Sequence, residues 1–301
     1  MNNKVGYVSI IGLPNVGKST LLNSILKQKI SIVTPKPQTT RKKILGILTE
    51  SNFQIIFLDT PGIVKPAYLL HEKMLEEVND SIKDADIIVL IFDVSSEVRI
   101  KESEENQIVK DLIAQKKKPI MLALNKVDSI TQQQAQQLVN HYERLKQFNA
   151  VVPIAASLNF NLDRLIQEIV EHLPEGEKYY PDDIISEASE RFFISEIIRE
   201  KVFEIYEDEI PYSTEVIIAD FKERTTGKDF ISAEIIVERE SQKAIIIGKG
   251  GAAIKMLGEV SRKSIEEFLQ REVFLDLRVK VRKKWRNDEN LLKSFGYTKK
   301  D

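Results

Sequence analysis

The sequence predicts an α/β domain built on a mostly parallel sheet with helices on both faces, followed by a smaller α+β domain. Three observations carry this expectation. The first 175 residues alternate short apolar runs with amphipathic stretches, the pattern of a sheet covered on both sides. A breaker-rich segment containing Pro174, Gly176 and Pro181 among charged residues then interrupts the alternation. Beyond it the order of elements changes. The expected division is therefore a first domain over 1–175, a linker over 176–189 and a second domain over 190–301.

In the first domain, apolar runs place strands at Tyr7–Ile11, Ile44–Thr49, Phe53–Leu58, Asp86–Asp93, Pro119–Asn125 and Val151–Ile154. Amphipathic spacing places helices at Lys18–Lys27, Leu69–Lys83, Glu102–Gln115, Gln132–Gln147 and Leu162–Leu173. The second domain opens with a helix over Glu190–Glu207. Two strands, Thr214–Phe221 and Phe230–Glu240, flank a turn at Thr225-Thr226-Gly227-Lys228-Asp229. Ile245–Ile247 reads as an apolar strand entering a glycine turn. Ile254, Leu257, Val260, Ile265, Phe268 and Leu269 then give the core face of helical sequence, with Gly258 separating two helices. The last strand, Val273–Arg282, alternates apolar residues at period two.

Composition narrows the chemistry. The chain of 301 residues has no cysteine, which excludes a disulfide scaffold, a thiolate zinc site and a cysteine nucleophile. Its three histidines, His71, His141 and His172, lack metal-ligand spacing. The apolar run Ile87–Phe92 has six residues where a membrane span needs about 20, and no signal-peptide core is found, so the expected location is the cytosol. The net charge of −2 hides an uneven distribution: residues 241–301 carry 15 basic and 8 acidic side chains. That end is either a polyanion surface or a solvated helix face.

Gly12-Leu13-Pro14-Asn15-Val16-Gly17-Lys18-Ser19-Thr20 follows a strand and opens a helix, the setting that gives the G-x-x-x-x-G-K-[ST] pattern its meaning. Its glycines let backbone N–H groups converge on phosphate oxygens at a helix N-terminus. Lys18 would bridge β- and γ-phosphates and Ser19 would ligate Mg²⁺. Asp59-Thr60-Pro61-Gly62 ends a second strand, where Asp59 can hold Mg²⁺ through water and the Gly62 N–H can turn to a γ-phosphate. Asn125-Lys126-Val127-Asp128 ends a third. A carboxylate at Asp128 can accept both N1–H and N2–H₂ of guanine, a donor pair adenine lacks, and a buried one left unpaired would reject ATP. The three motifs in this order, each at a strand's C-terminal end, resemble the translation-factor-class P-loop GTPases.

Within that resemblance, Gln38-Thr39-Thr40-Arg41 looks like switch I, with Thr40 chosen as the second Mg²⁺-binding hydroxyl and Thr39 the alternative. Ile63 stands where the water-orienting glutamine is found. Isoleucine cannot orient water by hydrogen bonding, so slow intrinsic turnover is expected. The last base-contacting motif, normally Ser-Ala, reads Ala155-Ala156-Ser157, which leaves the Ala156 N–H to meet guanine O6. In related GTPases without the glutamine, an asparagine at Asn15 is associated with a monovalent cation. The expectation is K⁺ near Asn15, and the alternative is that Asn15 only stabilises its loop.

In the second domain Ile247-Gly248-Lys249-Gly250-Gly251 supplies a G-x-x-G turn before a helix. Such a turn lets a sugar-phosphate backbone approach closely while bases lie on an apolar groove floor, the KH mode of gripping about four nucleotides. The order of elements and the basic residues near the end, Lys283 and Arg286 among them, resemble a type II KH domain. One N-terminal GTPase domain with one C-terminal KH domain resembles the Era family over nearly the whole chain. That resemblance implies GTP/GDP and Mg²⁺ as ligands, catalytic roles for Lys18, Thr40, Gly62 and Asn15, and GTP-regulated binding to the 3′ end of small-subunit rRNA in 30S assembly. It also implies peripheral association with the inner membrane, although no amphipathic anchor is visible. The chain is expected to act as a monomer. The competing reading is a nucleotide-gated rRNA-binding scaffold in which hydrolysis is incidental.

Overall fold

The computed structural model describes residues 3–297 and divides into two compact units. The first comprises the chain up to Ser31, Thr40–Lys65 and Met74–Glu187; the second comprises Ile32–Thr39, Pro66–Lys73 and the chain from Ala188 onward. Of the residues expected to form a linker, 176–187 belong to the first unit and 188–189 to the second. Gln54 Oε1 accepts the N–H groups of Tyr179 and Tyr180 at 2.8 and 3.0 Å. Ile47 N–H donates to Ile185 O at 2.7 Å, and the Ser186 hydroxyl donates to Leu45 O at 2.6 Å. The segment is a strap held by backbone groups that a free linker would leave to water.

The chain through the first unit runs β1 (Lys4–Ile11), α1 (Lys18–Leu26), β2 (Ile44–Thr49), β3 (Phe53–Asp59), α2 (Leu69–Asp84, counted in this unit from Met74), β4 (Ile87–Asp93), α3 (Glu97–Glu105), α4 (Gln107–Gln115), β5 (Ile120–Asn125), α5 (Gln132–Leu145), β6 (Ala150–Ile154) and α6 (Leu162–His172). Its six-stranded sheet has the order β2-β3-β1-β4-β5-β6, parallel except for β2 against β3. All seven residues of β4 are buried, as a strand covered on both faces requires. Ile88, Leu90 and Phe92 pack with Leu122 and Leu124 of β5 and with Tyr142. The expected helix Glu102–Gln115 is two helices. Asn106 breaks it because its Oδ1 accepts the N–H groups of Ile108 and Val109, capping the second piece.

The second unit contains α7 (Glu190–Ile205), α8 (Ile210–Ser213), β7 (Glu215–Lys222), β8 (Asp229–Val237), α9 (Glu240–Ile247), α10 (Ala252–Leu269), β9 (Val273–Val281) and α11 (Glu289–Ser294). Its sheet has the order β7-β8-β9, with β8 and β9 parallel. Two apolar clusters lie between helices and sheet, one around Ile194, Ile198, Ile231 and Ile265, the other around Val202, Ile235, Ile246 and Leu257. Three expectations fail here. Ile245–Ile247 are the last turn of α9 and not a strand. Gly258 lies inside α10, which continues through it. Val260 and Phe268 face outward, each 37% exposed.

Candidate nucleotide site and nucleic-acid interface

The three nucleotide motifs meet at the C-terminal tips of β1, β3 and β5. Gly17 has φ 100°, and a Cβ there would lie 2.3 Å from Asn125 Nδ2, so the end of the phosphate loop is pressed against the base-reading motif. A Cβ on Gly62 would lie 2.8 Å from Pro14 Cα, so the second motif abuts the loop just as closely. Asn15 is also left-handed, at φ 64°. Asn125 ties the loops together: its Nδ2 donates to Val16 O at 2.7 Å and its Oδ1 accepts Ala156 N–H at 3.0 Å.

Lys18 is buried and donates to the carbonyls of Gly12 (3.2 Å) and Leu13 (3.0 Å). Burial pushes its ammonium down to about 8, with the nearby Asp59 carboxylate acting in the opposite direction. Such a desolvated cation at a helix N-terminus is suited to a polyphosphate. Ser19 Oγ lies 2.8 Å from Thr40 Oγ1 and donates to Asp59 Oδ2 at 2.8 Å, while Ser31 donates to the same oxygen at 2.9 Å. Burial raises the Asp59 carboxyl, opposed by Lys18 and by these two hydroxyls. Its Oδ1 is buried without a hydrogen-bond partner. Two hydroxyls and one carboxylate with an unspent buried oxygen fit Mg²⁺, which takes few protein ligands and completes its shell with phosphate and water oxygens.

Of the two neighbouring threonines, Thr40 is the one that reaches Ser19. Thr39 is bonded to Thr34 Oγ1 at 2.8 Å and donates to Lys36 O at 2.8 Å, so its hydroxyl serves its own loop. Thr60 donates to Ile10 O at 2.8 Å, and Pro61 is buried beside it. Ile63 is 4% exposed within the core cluster, its N–H bonded to Gly12 O at 3.1 Å. It is a packing residue, which accounts for a hydrophobic side chain at that position.

In the base-reading motif Lys126 has φ 68°, and its Nζ lies 2.6 Å from Asp93 Oδ2. Burial raises the Asp93 carboxyl, but hydrogen bonds from Lys126 and Ser95 outweigh it and hold the group below its usual range. Val127 and Asp128 form a short turn in which Asp128 is exposed, open to a base and not buried as expected. Ala156 lies beside this motif. Its N–H, expected to meet guanine O6, donates here to Asn125 Oδ1 at 3.0 Å. The sequence reading missed Ser31, Asp93 and Ser24, whose hydroxyl donates to Ala156 O at 2.7 Å. Of these only Asp93 left a signal, ending a fully apolar strand in register with Asn125.

In the second unit Gly248, Gly250 and Gly251 all have positive φ, and no atom lies within 4 Å of a Cβ built on Gly250 or Gly251. The outer side of the turn is bare backbone leading into α10. Lys249 within the turn is exposed, as is Lys283, whereas Ile247 packs against the core. Arg286, the other basic residue expected at a nucleic-acid surface, is paired within its own unit. It is bonded to Glu238 Oε2 at 2.5 Å and lies over the Tyr68 ring at 4.5 Å, both within the second unit.

The family model described as "50S ribosome-binding GTPase" matches residues 7–126, and the one described as "KH domain" matches residues 209–286. GTPase Era of Clostridium botulinum strain Eklund 17B is 43% identical over 297 residues, covering 99% of both chains. The chain belongs to the GTPase Era family. A chloroplastic GTPase ERA-like protein of Oryza sativa is 44% identical over 299 residues, covering 98% of this chain and 70% of the relative. Among solved structures, Era in complex with MgGDPNP and nucleotides 1506–1542 of 16S ribosomal RNA has 39% identity and a TM-score of 0.91, covering 98% of this chain and 99% of that one. A single-residue variant of Aquifex aeolicus Era bound to GDP.AlF4⁻ has 40% identity and a TM-score of 0.92, with the same coverage of 98% and 99%. No helix among the described residues is long and apolar enough to cross a membrane.

Proposed function

We propose that this chain binds and hydrolyses GTP with Mg²⁺, and that it binds single-stranded small-subunit rRNA near its 3′ end during 30S subunit assembly in the cytoplasm. The observation that carries the first half is the convergence of Ser19, Thr40 and Asp59 beside the buried Lys18. The second half is supported by the bare G-x-x-G turn and by the RNA bound to a full-length relative. In hydrolysis a water oxygen bonds to the γ-phosphorus as the bond to the β–γ bridging oxygen breaks, releasing GDP and phosphate. Lys18 stabilises the charge that gathers on the phosphate oxygens, and the Gly62 N–H would add a donor. Mg²⁺, held by Ser19, Thr40 and, through water, Asp59, would neutralise β- and γ-phosphate charge. K⁺ near Asn15 would add to this, and equal rates in K⁺ and Na⁺ buffers would remove it from the account.

Ile63 favours a second reading. With an apolar, buried side chain in place of a water-orienting amide, hydrolysis could be slow enough that bound GTP simply licenses a stable RNA complex. We assign no segment to membrane contact. The RNA assignment is tested by Gly248→Asp combined with Gly251→Asp, using a single-stranded oligonucleotide matching the rRNA 3′ end. Loss of RNA binding with GTP binding intact is expected; retained RNA affinity in the folded variant would refute it.

A further inference from the structure

We propose that Ser31 is a positioning residue for Mg²⁺-dependent nucleotide binding: its hydroxyl holds one oxygen of Asp59 so that the other is presented to water on the ion. This role rests on the assignment of Mg²⁺ to Ser19, Thr40 and Asp59 above and adds a residue that assignment does not contain. Asp59 ends β3 fully buried, and its two oxygens are used differently. Oδ2 accepts two hydroxyl protons, from Ser19 at 2.8 Å and from Ser31 at 2.9 Å, whereas Oδ1 has no hydrogen-bond partner. The Ser19 proton is thus spent on Asp59, and Ser19 accepts from Thr40. Two donors on one oxygen restrict rotation of the carboxylate, and they leave the lone pairs of Oδ1 to a water of the ion's shell.

Most side-chain hydrogen bonds go to backbone or water. Ser31 is 1% exposed, yet its hydroxyl reaches a carboxylate 28 positions along the chain. Its backbone is held in place for this by Asn23 of α1. Asn23 Oδ1 accepts the N–H groups of Ile30 and Ser31 at 3.0 and 2.9 Å, and its Nδ2 donates to Ser31 O at 2.7 Å. Ser19 and Asn23 lie four residues apart on α1 and share a face. One helix face therefore carries both the hydroxyl assigned to the ion and the amide that seats Ser31. The position of Ser31 in the chain adds to this. Ser31 and Thr40 belong to the first unit, and the residues between them, Ile32–Thr39, to the second. Both ends of that excursion close on the Ser19–Asp59 pair, Ser31 at Asp59 and Thr40 at Ser19. Thr40 offers its oxygen to the ion directly, whereas Ser31 acts through the Asp59 carboxylate.

The test uses the full chain and a fluorescent, non-hydrolysable GTP analogue, with affinity measured in EDTA and across a Mg²⁺ titration. Ser31→Ala should raise the Mg²⁺ concentration for half-maximal binding about fivefold or more, the scale of one hydrogen bond to a charged group, while affinity in EDTA stays within about twofold of the unmodified chain. Ser31→Cys keeps the shape of the side chain but offers only a weak S–H donor, so it should shift the titration in the same direction. Circular dichroism confirms that each variant is folded, and if Ser31→Ala does not fold, Ser31→Cys carries the test. An unshifted Mg²⁺ titration in either folded variant would overturn the positioning role, and so would a loss in EDTA as large as the loss in Mg²⁺, which is what damage to the loop alone would produce. In those cases a shifted titration in Thr40→Ala would leave the metal assignment standing. Binding by the unmodified chain that does not depend on Mg²⁺ would overturn both.

Discussion

Replacing Asn125 by alanine probes the bridge on which the nucleotide site depends. The side chain makes two buried hydrogen bonds, to Val16 O at 2.7 Å and from Ala156 N–H at 3.0 Å, and is itself 2% exposed. Alanine removes both and leaves one carbonyl and one N–H buried without partners. Each stranded group costs about 1–3 kcal/mol, so the variant should lose about 2–6 kcal/mol, divided between stability of the first unit and nucleotide affinity. That is a sizeable part of a typical domain stability of about 5–15 kcal/mol, so the affinity measurement should be made at low temperature on protein shown to be folded by circular dichroism. The assay is equilibrium titration with a fluorescent GDP analogue alongside urea denaturation. GDP affinity should fall at least about tenfold, corresponding to about 1.4 kcal/mol of the loss, with the denaturation midpoint also lowered. Wild-type affinity together with a wild-type midpoint would mean that the phosphate loop and the base-reading loop do not depend on this side chain.

Three further outcomes follow from the same site. Thr40→Ala should weaken the Mg²⁺ dependence of GTP binding, whereas Thr39→Ala should leave it unchanged, because only Thr40 reaches Ser19; Mg²⁺ titrations at fixed GTP would contradict this by giving equal effects. Lys18 has its ammonium lowered to about 8, and a polyphosphate binds the protonated form, so GTP affinity should fall about tenfold between pH 7 and pH 9. Lys18→Arg stays charged across that range, and an equally steep fall in this variant would exclude Lys18 as the titrating group. Asp128→Asn should shift preference from GTP toward xanthosine triphosphate in competition binding, since the amide presents a donor where that base has a carbonyl; unchanged preference for GTP would show that the exposed carboxylate does not read the base.

The nucleotide site was legible because its chemistry needs fixed residue types at strand tips, and the strands of the first unit are continuous apolar runs that the sequence displays directly. Lys18, Ser19, Asp59 and Asn125 are therefore found together where their motifs put them. The choice between Thr39 and Thr40 was not legible, because it depends on where each hydroxyl points within one loop. Ile245–Ile247 misled because a short apolar run reads equally as strand or buried helix. The better signal was Gln242, whose Oε1 accepts the N–H groups of Glu238 and Arg239, both at 2.9 Å, and so caps the start of α9. The pairing of Arg286 was illegible for a different reason. A run of basic residues shows charge but not pairing, and Glu238, which holds it, is 48 positions away.

The central claim is that one chain couples a GTP-hydrolysing unit to an RNA-binding unit. The most direct test is phosphate release from GTP in K⁺ and Mg²⁺ buffer, with and without the rRNA 3′-end oligonucleotide, using Lys18→Ala as the blank. Turnover above that blank and raised by the RNA is the predicted result. Turnover at the level of the blank in both conditions would contradict it, and tight GTP-dependent RNA binding in the same samples would then identify the protein as a scaffold.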